Sequence, residues 1–129
     1  MNFWNHLHHP RAAMVVLRIT LALLLLFHGW SKITGGIGGI EKMVASHGLP
    51  HWLAYAVYLG EVVAPLLLLI GVWVVPAALV VVVNMLVALV LVHSGHFLSI
   101  GSSGGWALEL QAFFLVTALV VAMGYSKGK

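Results

Sequence analysis

The stretch AAMVVLRITLALLLLFHGWSKI, Ala12–Ile33, decides the fold. Only Arg18 and Thr20 interrupt its apolar run before it closes on His28-Gly29-Trp30-Ser31-Lys32. A helix needs about 20 mostly apolar residues to cross the hydrocarbon core of a bilayer, and this stretch is long enough. Three further segments read the same way: 52–72, which contains Glu61 and Pro65; 74–92, with Asn84; and 106–125, with Glu109 and Gln111 near its start. The runs are continuous rather than alternating, so a β-barrel does not compete. The expectation is an all-α membrane protein: an antiparallel four-transmembrane-helix bundle forming a single domain over residues 1–129.

Composition agrees. Of 129 residues, 62% are hydrophobic and 7% charged, and mean hydropathy is +1.09. A soluble domain carries roughly a quarter of its residues as charged groups, so lipid must solvate most of this surface. The soluble alternative is a subunit wholly buried in an assembly. With no cysteine, dithiol chemistry, thiolate metal sites and iron–sulfur clusters are excluded. A net charge of +3, scattered along the chain, gives no nucleic-acid surface. No small-residue cleavage site follows the first apolar run, which reads as a span and not as a signal peptide.

The connections set the topology. Between the second and third spans only the residues around Gly71–Pro76 intervene, a tight hairpin. Between the first and second lie a Gly-rich stretch, Thr34–Gly39, and then Ile40–Ala45, a candidate short interfacial helix before the turn Gly48-Leu49-Pro50. Gly95–Gly105 joins the third and fourth. Both long loops then share one face, and the termini share the other. The terminal face holds Arg11, Arg18, Lys127 and Lys129; the loop face holds Lys32 and Lys42, offset by Glu41 and Glu109. By the positive-inside rule, the termini are expected in the cytoplasm, with Trp30, Trp52 and Trp106 at the outer boundary.

Charges inside hydrocarbon cost about 2.5–3.5 kcal/mol each on insertion scales and tend to mark function. Counted at 1.5 Å per residue from Ala12 and from Trp52, Arg18 and Glu61 differ in depth by only ~7 Å, so an Arg18–Glu61 pair is expected. Its role is structural or functional with equal weight. Pro65 removes a helical N–H and clashes with the carbonyl of Glu61, so a kink is expected there.

A second polar group lies toward the outer face. His28 and Lys32 share one side of their helix, His93 and His96 close the third span, and Glu109 opens the fourth. Such a layer can hydrogen-bond a quinone head group, bind a metal, or line a water-filled vestibule. No helical His-x-x-x-His pair supports a metal, so neither metal nor protein-bound haem is expected. The N-terminal His6-Leu7-His8-His9 reads as an interfacial entry with Phe3 and Trp4, and Asn84 as an interhelical hydrogen-bonding residue. The glycines at 35, 36, 38 and 39 lack the strand and lysine of a phosphate loop.

In order and spacing, Leu17-Arg18, His28–Lys32, Gly48-Leu49-Pro50, Glu61, Leu69-Ile70-Gly71 and Gly104–Glu109 resemble the DoxX family of small bacterial membrane proteins over essentially the whole chain. One departure is Val62-Val63-Ala64-Pro65, where the family usually carries glycines. The resemblance implies a bundle in the bacterial inner membrane. Some relatives resemble membrane subunits of quinone-linked oxidoreductases; others are companions of larger membrane proteins.

Two readings follow. In one, the chain is a subunit of a quinone-linked oxidoreductase, with Arg18, His28, Lys32, Glu61 and Glu109 binding quinone and Glu61 and Glu109 carrying protons. Electrons then come from a partner subunit or a soluble donor. In the other, it is a non-catalytic accessory subunit that stabilises a larger complex. Transport is disfavoured, because four short helices show no internal repeat.

Overall fold

The computed structural model describes residues 3–91 and 109–126, which are helical nearly throughout, with no strand among them. A 3-10 turn, Phe3–Leu7, precedes α1 (Pro10–Gly35). Proline in the first turn of α1 is tolerated because its missing N–H would have no helical partner. Gly36, at φ +78°, ends the helix and donates its N–H to the Lys32 carbonyl at 2.9 Å. A short helix, α2 (Gly38–Ser46), occupies the stretch where an interfacial segment was expected. Gly48, at φ +79°, and Pro50 then turn the chain into α3 (His51–Ile70).

α3 is irregular. It opens as a 3-10 turn, His51–Tyr55, widens into a π turn at Leu59–Val63, and finishes as α-helix from Ala64. Gly71, at φ +82°, and Trp73, at φ 51°, form the hairpin that leads into α4 (Val74–Leu91). Glu109–Tyr125 is α5.

Two helices, α1 and α3, are long and apolar enough to cross a membrane by length and composition. Shorter apolar helices run over Val74–Val90 and Leu110–Tyr125. The expected spans to residue 92 and from residue 106 extend past the described residues.

The helices pack in a ring: α1 on α3, α3 on α4, α4 on α5, and α5 back on α1. His28 meets Phe114 while Met14 lies at Gly124, so α5 runs opposite to α1. Leu21, Leu25, Leu68, Val81 and Val121 fill the centre, with Ala22, Ala64, Ala78 and Ala118 allowing close approach. Outward-facing residues are equally apolar, among them Leu24, Phe27, Leu66, Val83, Leu86, Phe113 and Val116. An exposed apolar surface of this extent is the mark of an interaction site or a lipid-facing wall.

Candidate functional site

The site begins with the π turn of α3. The Ala64 N–H donates to the carbonyl of Leu59, five residues back, one residue before Pro65. Pro65 has no N–H to give, and the widened turn absorbs that loss; single π turns of this kind often sit at functional positions. The expected disturbance at Pro65 therefore appears as a π turn enclosing Glu61. Gly29 of α1 packs directly against the Glu61 carbonyl, and Gly60 against the side chain of Asn84. A side chain at either glycine would hold the helices apart.

Glu61 is only 7% exposed. Its Oε1 accepts a hydrogen bond from the Lys32 ammonium at 2.9 Å. Its Oε2 lies 3.5 Å from the Asn84 side-chain N–H donor. Tyr58 donates its hydroxyl to the Lys32 backbone carbonyl at 3.2 Å, tying the end of α1 to α3. The buried carboxylate is thus compensated by a cation, and a dipole from a third helix supports it. This is the arrangement a buried charge requires.

The expected Arg18–Glu61 pair does not form. Arg18 instead donates from Nη1 to the Tyr125 hydroxyl at 3.1 Å and lies over the Tyr125 ring, 5.6 Å from its centroid. The reason is the relative height of α1 and α3. Depth counted along each sequence sets Ala12 level with Val72. Packing of Gly29 on Glu61 and of Arg18 on Gly71 sets Arg18 level with Gly71 instead, a shift of about 7.5 Å along the axis. Arg18 and Glu61 are consequently separated by ~15 Å of helix. Lys32, one turn beyond Gly29, falls beside the carboxylate.

Around this pair lies a cleft of about 1030 Å³. His28, Lys32, Gly60, Glu61, Asn84 and Gln111 form its polar part; Val44, Leu53, Val57, Val83 and Phe114 are among its apolar walls. The His28 ring packs edge-on against Phe114, with centroids 5.4 Å apart. Gln111 Oε1 is buried with no hydrogen-bond partner among the described residues.

Of the residues singled out from the sequence, His28, Lys32 and Glu61 therefore share the cleft, and Arg18 does not line it. Glu109 opens α5 two residues before Gln111, but its side chain lies outside the described residues, as do His93, His96 and Trp106. Tyr58, Asn84 and Gln111 complete the site without having been assigned to it from sequence. Asn84 and Gln111 were visible as polar residues in apolar runs. Nothing in the sequence says which helix faces they occupy.

The cleft joins an apolar volume to a compact polar end. An ammonium has three N–H donors, and Glu61 takes one of those of Lys32. Lys32 can therefore donate to a ligand oxygen while still paired. Glu61 can accept a proton if the pair opens.

The sequence profile of the DoxX family matches residues 13–94, a range that includes Arg18, His28, Lys32, Glu61 and Asn84. No curated protein and no solved structure matches the chain.

Proposed function

The chain belongs to the DoxX family, and from that premise we propose that it is a four-span membrane subunit that binds a quinone in the Lys32–Glu61 cleft. The observation that carries this reading is the pairing of the apolar cleft with one compact polar end, Lys32–Glu61–Asn84. A quinone has the matching form: a flat ring with two carbonyl oxygens and an isoprenoid tail. Small-molecule sites are mostly apolar, with a few convergent polar groups to fix orientation.

In this reading Lys32 donates to one quinone oxygen and His28 to the other. Glu61 carries the proton that accompanies reduction or oxidation, released or taken up as its pair with Lys32 opens and closes. Glu109, at the head of α5, is the next carrier toward the outer face. Electrons are supplied by a partner subunit or a soluble donor. We place the protein in the bacterial inner membrane, with both termini in the cytoplasm, because the terminal face holds Arg11, Arg18, Lys127 and Lys129.

One observation favours a second reading. Both Glu61 oxygens already have partners within the chain, so the cluster can serve as an interhelical lock in an accessory subunit of a larger complex. Extraction in mild detergent followed by mass spectrometry of the intact assembly separates the two. A quinone retained by the wild-type chain and lost in Glu61→Gln, with the assembly intact, supports the first. Loss of the assembly in the variant, with no quinone in the wild type, supports the second.

A further inference from the structure

Arg18 is the charge that the cleft does not use. It is half-buried, and its guanidinium packs against Gly71 at the α3–α4 hairpin and against Tyr125 at the end of α5. Two helices therefore end at its level while α1 continues for two more turns, and Trp73, 74% exposed, marks the same level. Exposed tryptophan beside helix ends is characteristic of the membrane–water boundary. In the membrane reading, Arg18 stands at head-group depth.

Among the described residues its charge has no carboxylate partner. The acidic side chains of the chain are Glu41, Glu61 and Glu109. Glu61 belongs to Lys32, Glu41 lies on α2, and Glu109 is at the far end of α5 from Tyr125, ~24 Å away along the helix. Guanidinium offers five N–H donors. Among the described residues Arg18 uses only one, to Tyr125, and its Nε is buried without a partner. The helix C-termini of α3 and α5 supply partial negative charge nearby, but no carbonyl accepts from it among the described residues. Arg11, two turns earlier on the same side of α1, adds a second cation at this end.

We propose that Arg18 and Tyr125 form a binding site for a phosphate anion at the terminal face, supplied by the head group of an anionic phospholipid. The planar guanidinium grips two phosphate oxygens, and the Tyr125 hydroxyl, which accepts from Nη1, donates its own proton to the same group. This site requires the membrane placement but not the quinone reading. It lies ~15 Å of helix from Glu61 and ~21 Å from Lys32, so either can fail alone.

The test uses the full chain in lipid nanodiscs of phosphatidylcholine, with or without phosphatidylglycerol. Native mass spectrometry reads retained lipid, and thermal unfolding reads stabilisation. The wild type is expected to retain phosphatidylglycerol and to unfold at higher temperature in its presence. Arg18→Gln is expected to weaken retention on the order of tenfold and to abolish that difference; Tyr125→Phe is expected to reduce it. Inorganic phosphate added to phosphatidylcholine discs identifies the source. An equal stabilisation makes the ligand a soluble phosphate, and none makes it the lipid. Arg18→Gln that lowers the midpoint equally in both lipids, making Arg18 only a cap on two helix ends, overturns the site. If Arg18→Gln does not fold, an unchanged lipid preference in Tyr125→Phe does so instead.

Discussion

Gly29 of α1 lies directly against the backbone carbonyl of Glu61, and this contact fixes the height of α1 relative to α3. A methyl group at position 29 would overlap that carbonyl and approach the Val62 side chain to 2.8 Å. Backbone cannot yield as a flexible side chain can. Gly29→Ala is expected to push α1 from α3 and to cost about 1–3 kcal/mol, the usual range for overpacking. Thermal unfolding in detergent checks this; an unchanged midpoint would show that the helices do not touch there.

The Lys32–Glu61 pair makes a sharper prediction. Lys32→Met leaves a carboxylate buried and unpaired, which costs about 3–5 kcal/mol in comparable sites. Lys32→Met combined with Glu61→Leu removes both charges and is expected to recover most of that loss. Chemical denaturation of the wild type, both single variants and the double variant gives the coupling directly. Additive losses would mean that the two side chains are not partners.

Asn84 separates stability from binding. At 3.5 Å its hydrogen bond to Glu61 is long, so Asn84→Leu is expected to change stability by less than about 1 kcal/mol. The substitution removes one polar group from the cleft. Under the quinone reading, quinone affinity falls while the midpoint barely moves. A large stability loss with unchanged affinity would assign Asn84 to the lock between helices.

The helices were legible in the sequence because an uninterrupted apolar run has one stable form in lipid. The short helix α2 was legible too, from Ile40–Ala45 between glycines. Pairing of the buried charges was not. Each helix records its own periodicity but not its height against a neighbour, and Arg18 and Lys32 are both cations on α1 within reach of a carboxylate at some offset. The offset comes from Gly29 on Glu61, a contact between a residue with no side chain and a backbone atom. The π turn adds to the difficulty, since it rotates the residues before it relative to a regular helix. Pro65 signalled that something happens there without saying what.

The hairpin offers an independent check. Gly71 has φ +82°, and the Arg18 guanidinium lies 3.2 Å from where a Cβ would sit. Gly71→Ala is expected to cost about 1–2 kcal/mol, from the left-handed backbone alone, and to displace Arg18 from Tyr125. Thermal unfolding measures the first effect. The second appears as a changed environment of Tyr125 in fluorescence or NMR, and an unchanged Tyr125 would contradict the contact.

The most direct test of the quinone site is photo-crosslinking of the membrane-embedded chain with an azido-quinone, with peptide mapping of the adduct. Labelling is expected on α1 near His28, on α3 near Glu61 and on α5 near Gln111, to be displaced by unlabelled quinone and to be lost in Glu61→Gln that still folds. Labelling confined to outward-facing residues such as Phe27 and Val116, or unaffected by competitor, would contradict a quinone site in the cleft.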